Sequence, residues 1–217
     1  MSDLYKGEIG AAYFTNRAAF RSPDTQRRRA SFFRDLTRDD LVTVDFGCGT
    51  GGGLASLRAK ERIGVEVGPE AAAEAAAVLD RVYNSLSEVA TASVDLLISF
   101  HALEHVADPF AAMSEMARVL KPGARFRLVV PFESARPAYA LSRWHAKDAT
   151  MHLFSWVPQT FGNLLAAAGL EIDRCAVAPF AVSERFPALA WVKGLSRQHL
   201  QVVATGHRPS QAPTAVL

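Results

Sequence analysis

The sequence predicts an α/β protein in which a mostly parallel sheet carries helices on both of its faces. Strand and helix patterns alternate along residues 41–131, as they do when a crossover helix joins each strand to the next. The run SVDLLISF, residues 93–100, is apolar almost throughout, which is typical of a strand buried on both faces. The stretch DFGCGTGGG, residues 45–53, predicts a tight turn from the first strand into the helix after it.

Seven segments have the composition of strands. They are LVTVDF (41–46), RIGVEV (62–67), RVY (81–83), SVDLLISF (93–100), ARFRLVVP (124–131), EIDRCAVAPF (171–180) and HLQVVATGH (199–207). Helices are expected at RASFFRDL (29–36), GGLASLRAK (52–60), GPEAAAEAAAVLD (68–80), DPFAAMSEMARVL (108–120) and VPQTFGNLLAAAGL (157–170). Prolines near the starts of the last two helices mark where they begin, and KPG (121–123) and Gly169 mark where they end.

Three segments depart from the alternation. Residues 1–40 are expected to form a helical segment that caps the domain as a lid. Residues 133–157 are an excursion rich in aromatic and basic residues, and residues 208–217 are expected to be a flexible tail. The domain itself is therefore predicted to span residues 41–207.

The composition fits one packed domain and excludes several classes of protein. The chain has 217 residues, of which 49% are hydrophobic, and a formal net charge of +2 that gives no reason to expect nucleic acid or a membrane as partner. The two cysteines, Cys48 and Cys175, fit a reducing compartment. No apolar stretch reaches transmembrane length and no signal peptide is apparent, so we expect a cytoplasmic protein.

The glycine stretch fits two nucleotide-binding signatures. Gly47, Gly49 and Gly52 spell the G-x-G-x-x-G of dinucleotide-binding proteins, whereas Asp45, Gly47, Gly49 and Gly51 spell the D-x-G-x-G-x-G of S-adenosylmethionine (SAM) binders. A pyrophosphate favours helix-terminal N–H groups without a nearby anion, whereas SAM carries an ammonium and a sulfonium group. Asp45 therefore favours SAM, and an NAD(P)-dependent oxidoreductase is the alternative.

A second carboxylate ends the next strand. An acidic residue about 20 positions beyond such a turn accepts hydrogen bonds from ribose hydroxyls in both classes of cofactor. Glu66 occupies that place and indicates a bound nucleoside without deciding which cofactor carries it. The alternative is an exposed acid at the end of a strand.

Four segments, in this order, resemble the class I SAM-dependent methyltransferases, in particular small single-domain members of the methyltransferase-11 and -23 type. They are VDFGCGTGGG (44–53), GVEVGPEA (64–71), SVDLLISFHALEHVADPFAAMSEMARVLKPGARFRLVVP (93–131) and HLFSWVPQTFGNLLAAAGLEI (152–172). The resemblance covers roughly residues 40–205 and implies a Rossmann-like, seven-stranded, mostly parallel sheet with an antiparallel C-terminal hairpin. It also implies methyl transfer from SAM to an oxygen or nitrogen of a small molecule, a sugar or biosynthetic intermediate, with S-adenosylhomocysteine (SAH) as product.

The resemblance assigns a cofactor site. Asp45 and the loop from Gly47 to Gly51 would face the methionine part of SAM. Glu66 would bind the ribose hydroxyls, and Val67 would contact the adenine. The residues expected to contact SAM are Tyr13, Arg17, Asp45, Gly47, Cys48, Gly49, Gly51, Glu66, Val67, Ser85, Leu86, Ser99 and Phe100.

Two histidines are the candidates for a general base. His101 follows the fourth strand, at the edge where open α/β sheets bind ligands, and a histidine pKa suits proton removal near neutral pH. His105 would share a helix face with His101 if a helix has begun there. The alternatives are that His101 shapes the pocket or hydrogen-bonds SAM, and that His105 pairs with Glu104.

His101, Glu104 and His105 also spell H-x-x-E-H, the order of an inverted zinc-protease motif. That motif needs an intact helix and a further ligand. Here the three residues directly follow a buried strand, so we expect no metal.

The excursion at 133–157 is the expected substrate region. Its candidate contacts are Tyr139, Arg143, Trp144, His145, His152 and Trp156, with Arg136 as a further partner for an anionic group. Ordinary packing is the alternative for each of them. The basic run RRRA (27–30) is expected to be a solvated helix face. We expect a small-molecule substrate, no nucleic-acid or membrane partner, and a monomer or homodimer; a non-catalytic SAM-binding protein is the remaining alternative.

Overall fold

The computed structural model of the chain describes residues 7, 15, 21–132, 151–179 and 200–210. Its strands are β1 (Val42–Phe46), β2 (Glu61–Val65), β3 (Arg81–Tyr83), β4 (Val94–Phe100), β5 (Leu120–Pro131), β6 (Glu171–Pro179) and β7 (Leu200–His207). They form one seven-stranded sheet in the order β3-β2-β1-β4-β5-β7-β6. The first five strands are parallel, and β7 runs antiparallel to both β5 and β6. The predicted sheet and its antiparallel C-terminal strands are confirmed.

Five α-helices have both ends within the described residues. They are α1 (Pro23–Ala30), α2 (Gly52–Ala55), α3 (Pro69–Ala76), α4 (Pro109–Val119) and α5 (Pro158–Ala167), with 3₁₀ turns at Leu86–Glu88 and Leu103–His105. Prolines begin α1, α3, α4 and α5, where the missing N–H group is not needed. The helix predicted at 29–36 is wrong in position: the Ser22 side chain caps α1 by accepting from the Thr25 N–H, and residues 31–36 are turns.

The sheet is covered on both faces. On one face, α4 and α5 contribute Met113, Met116 and Phe161 to a core cluster that includes Leu97 of β4. On the other, α1, α2 and α3 pack in a second cluster with the neighbouring β4 residues Leu96 and Ile98. Successive side chains of a strand point to opposite faces, so an almost uninterrupted apolar β4 is what two covered faces require.

The segment after α1 is attached to the same core. Ala30 and Phe33 are buried in the second cluster. The Arg127 side chain of β5 donates to the Phe32 carbonyl and pairs with Asp35 at 2.6 Å. The lid function of residues 1–40 stays a prediction. Within the described part of the chain, no helix has the length and apolar character needed to cross a bilayer.

Candidate active site

The glycine loop leaves β1 at the edge of the sheet where the carboxyl ends of β1, β2 and β4 meet. Gly47, Gly49 and Gly51 have φ angles of 77°, 56° and 78°, in the left-handed region that side chains disfavour. At Gly47 the chain also passes close to the second residue after β4, because a Cβ there would lie 2.4 Å from the Ala102 Cβ. The loop therefore presents its backbone to the space above the sheet edge.

Glu66 is held in place by the loop itself. Its Oε2 accepts a hydrogen bond from the Gly49 N–H at 2.9 Å, and its Oε1 accepts from the Gly68 N–H at 2.8 Å. Burial raises the pKa of Glu66, and these backbone N–H groups oppose that rise. Each carboxylate oxygen has a second lone pair. The group is thus oriented in advance and can still accept hydroxyl donors.

Asp45 lies half-buried at the end of β1. Loss of water around its carboxyl group raises its pKa to about 7, while the positive charge of Arg29 lowers that pKa and the negative charge of Glu66 raises it. Near neutral pH this carboxyl group is therefore balanced between its protonated and ionised forms. A bound cation would shift it to the ionised form.

Arg29 brings a positive charge to the same edge. Its guanidinium carbon lies 5.5 Å from the centroid of the Phe100 ring, and its charge lowers the pKa of both Asp45 and His101. The expectation of a solvated face for residues 27–30 is wrong for Arg29, which is half-buried, whereas Arg27 is exposed. Arg29 lies three residues after Gln26 and so shares its helix face, but the burial of Gln26 is itself seen only in the structure.

A cavity of about 860 Å³ opens beside the ends of β2 and β3. Small-molecule sites commonly measure about 300–1,000 Å³. Val67, Ser85 and Leu86, which the resemblance assigns to the cofactor site, line this cavity, and their contact with SAM stays a prediction. Asn84 and Asp108 also line it, and sequence reasoning missed both.

His101 is fixed by a residue from the far end of the chain. Its φ is 55°, its ring stacks on Phe100 with centroids 4.3 Å apart, and its Nε2 bonds Oε1 of Gln201. Because an amide oxygen only accepts, Nε2 carries the proton and Nδ1 is the basic nitrogen. Burial lowers the pKa of His101 to about 3, partly opposed by the bond to Gln201. Gln201 was not found from the sequence.

His105 does not share a helix face with His101, because only the 3₁₀ turn Leu103–His105 forms there. His105 instead lies in a buried polar cluster with Glu104 and His152. Its Nε2 is 3.8 Å from Glu104 Oε1, and its ring meets the His152 ring edge-on with centroids 4.8 Å apart. Its Nδ1 lies 3.3 Å from the Met151 carbonyl oxygen.

Two predicted contacts take structural places instead. Ser99 is 1% exposed and donates its hydroxyl to the Phe46 carbonyl at 2.7 Å, so it joins β4 to β1 and does not line the open site. Trp156 is 4% exposed, stacks on Phe154 and meets the Phe161 ring at a tilt, so it is part of the core.

Cys48 is buried in the second core cluster. A Cβ added to Gly64 of β2 would lie 2.6 Å from the Cys48 sulfur, so the thiol fills the space that Gly64 leaves. Burial raises the pKa of this thiol, and the charges of Asp45 and Glu66 add to the rise. At this position the glycine loop can offer a ligand its backbone, but not a reactive thiolate.

Several predicted contacts fall outside the described residues. They are Tyr13, Arg17, Arg136, Tyr139, Arg143, Trp144 and His145.

Comparison with known proteins supports one family. A family model described as a methyltransferase domain matches residues 16–174. The chloroplastic tocopherol O-methyltransferase of Arabidopsis thaliana is 32% identical over 179 residues, covering 70% of this chain and 51% of that protein. A ubiquinone biosynthesis O-methyltransferase of Cereibacter sphaeroides is 28% identical over 205 residues, covering 82% of this chain and 78% of that protein. The chain thus spans about half the length of the plant relative.

Solved structures share the fold at low sequence identity. The methyltransferase bound to the Haloferax volcanii Trm112 methyltransferase activator has a TM-score of 0.72 and 19% identity, covering 93% of this chain and 96% of that chain. Phosphoethanolamine N-methyltransferase 2 of Haemonchus contortus, in complex with SAM, has a TM-score of 0.68 and 16% identity. The match covers 95% of this chain and 59% of that chain.

Proposed function

The chain belongs to the methyltransferase domain family, a class of SAM-dependent enzymes, and on that premise we propose that it methylates an oxygen atom of a small molecule. One observation carries the proposal. Two acidic residues, Asp45 and Glu66, flank a glycine loop with positive φ angles at the carboxyl edge of a parallel sheet, and backbone N–H groups orient the Glu66 carboxylate. An ammonium group and ribose hydroxyls are the ligand groups that these carboxylates suit.

The proposed roles divide along the sheet edge. When bound, SAM supplies the activated methyl group, and the protein must hold the acceptor and take up its proton. Asp45 would face the ammonium group and Glu66 the ribose, while the cavity beside Val67 would take the adenine. Arg29 offers its charge to an anionic group of the cofactor or acceptor.

His101 is the proposed proton acceptor. Its pKa of about 3 lies far below the near-neutral value expected from the sequence, so the imidazole is neutral near pH 7 but only weakly basic. Nδ1 would therefore accept a hydrogen bond from the acceptor hydroxyl and take its proton only as the methyl group transfers. The bond from Nε2 to Gln201 fixes the ring and favours the protonated form that proton uptake would create. His105 is buried beside Glu104 and His152 and is the weaker candidate.

An oxygen acceptor is supported by the two relatives described above, which are O-methyltransferases. The test is transfer of radioactive methyl from SAM to matched phenols, sugars and amines, after calorimetric titration with SAH and NAD. We expect SAH to bind and hydroxyl compounds to be methylated. Transfer to amines alone would contradict an oxygen acceptor, NAD binding would contradict the cofactor, and SAH binding without turnover on any acceptor would favour a non-catalytic protein.

Binding of SAH should weaken as the pH falls. The ligand's ammonium group favours ionised Asp45, whose pKa without ligand is about 7. Below that pH the ionised fraction drops about tenfold per unit, so the affinity should do the same, and it should level off above pH 7. Calorimetry at pH 5.5–8.5 in two buffers of different ionisation enthalpy would measure both the affinity and the released proton. An affinity slope that persists in Asp45→Asn would assign the effect to another group.

A further inference from the structure

We infer that Glu104, His105 and His152 form a binding site for a divalent transition-metal ion of the zinc class. Each residue offers one ligand atom, and the three atoms all lie within 4.8 Å of one another. Glu104 is 0% exposed and His105 is 7% exposed, so two of the donors are inside the protein. The site is distinct from the glycine loop and requires no bound SAM.

The orientation of His105 is that of a metal ligand. The Met151 carbonyl can only accept, so the 3.3 Å contact places a proton on Nδ1 of His105. Nε2 is then the nitrogen that would bind a metal ion, and it lies 3.8 Å from Glu104 Oε1. Two donors bound at about 2.0–2.2 Å to one zinc ion are separated by roughly 3.4 Å, so a small contraction would bring them onto it. Histidine ligands usually donate their other N–H group in this way.

Backbone hydrogen bonds bring His152 to the cluster. The N–H groups of Leu153 and Phe154 both donate to the Glu104 carbonyl, at 2.7 and 3.2 Å. These bonds hold residues 151–154 against the 3₁₀ turn that carries Glu104 and His105. A site whose ligands are held by supporting contacts binds with less reorganisation.

The donor set selects the class of ion. Two imidazoles and one carboxylate suit zinc and its neighbours, whereas magnesium and calcium prefer all-oxygen sites. Three protein ligands also leave a fourth position for water or another oxygen. We expected no metal at the H-x-x-E-H trio, and in the structure His101 is bonded to Gln201, whereas His152 lies beside Glu104 and His105.

The test uses the full chain stripped of metal and titrated with Co²⁺, whose visible absorption reports its ligands. We expect one Co²⁺ per chain, displaced by Zn²⁺, with Zn²⁺ raising the melting temperature in proportion to the logarithm of its concentration. Removing a group that only supports a metal ligand typically weakens metal binding by about 10- to 100-fold. Because His152→Ala removes a ligand itself, it should weaken Co²⁺ binding by about 100-fold or more. His207→Ala is the matched control, because His207 of β7 also pairs with carboxylates, those of Glu171 and Asp173 on β6.

A second variant covers the case in which His152→Ala fails to fold. His152→Cys keeps a ligand at this position and should add a sulfur-to-cobalt charge-transfer band in the near ultraviolet. No Co²⁺ binding by the wild-type chain, or binding lost in His207→Ala but kept in His152→Ala, would overturn the inference. So would a Co²⁺-bound His152→Cys chain without the sulfur band. None of these measurements depends on methyl transfer.

Discussion

Replacing Asp45 with asparagine is expected to weaken SAH binding on the order of 100-fold at pH 8, because a partly desolvated charge partner is lost. Asparagine has nearly the same shape, so the glycine loop should keep its conformation. At pH 8 the Asp45 carboxyl group, with a pKa of about 7, is mainly ionised in the wild-type protein. Calorimetric titration with SAH measures the difference.

Although Asp45→Asn should weaken SAH binding, it should not lower the stability of the ligand-free protein. The pKa of Asp45 is raised by folding, so its contribution to stability is fully present below the ordinary carboxyl pKa and declines as the pH rises toward 7. Asparagine removes that decline, and the ligand-free variant should melt at or above the wild-type temperature at pH 8. Asp40→Asn, which changes an exposed pair with Arg38, is the matched control and should alter neither quantity much. A joint fall in affinity and melting temperature would indicate a damaged fold and contradict the assigned role.

Gly47→Ala is expected to destabilise the protein by about 3 kcal/mol, combining a left-handed φ with a steric clash. At this chain length the loss corresponds to a melting temperature lower by roughly 6–12 °C. The reason is local: φ is 77°, and the new Cβ would lie 2.4 Å from the Ala102 Cβ. SAH affinity should fall as well, because the loop must shift.

Gly49 provides a matched control within the same loop. Its φ of 56° is also left-handed, but an added Cβ would meet no atom within 4 Å. Gly49→Ala should therefore lower the free energy of unfolding by only about 1–2 kcal/mol. Adding Ala102→Gly to Gly47→Ala should restore the part of the lost stability that is due to the steric clash with Ala102. Equal losses at both glycines, or no recovery in the double variant, would show that Ala102 is not the cause.

The sheet could be predicted from the sequence because its signals are local. The apolar run of β4, the proline-started helices and Gly169, with its φ of 88° after α5, each act within a few residues. The positions of Asp45 and Glu66 at strand ends beside the glycine loop could also be predicted, because strand ends and glycine spacing fix them, while their contacts with a cofactor stay a prediction. None of these features depends on a contact with a distant part of the chain.

The remainder of the site depends on contacts between distant residues. Gln201 lies 100 residues from His101, and no local pattern joins them. Ser99 and Trp156 have side chains typical of binding sites, but neighbouring strands and rings enclose them. The position of Arg29 at the site could be predicted only with knowledge of which face of α1 packs against the sheet. Residue type suggested chemistry in each case, and packing decided whether that chemistry was accessible.

The position of β7 sets an order of assembly. β7 lies between β5 and β6, and β6 pairs with no other strand of the described sheet. A chain made from its N-terminus could pair β1 to β5 early, while β6 must wait for residues 200–207 before it has a neighbour. The same late strand delivers Gln201 to His101. A nascent chain at that stage would already have its glycine loop, but His101 would lack its Gln201 partner until β7 inserted.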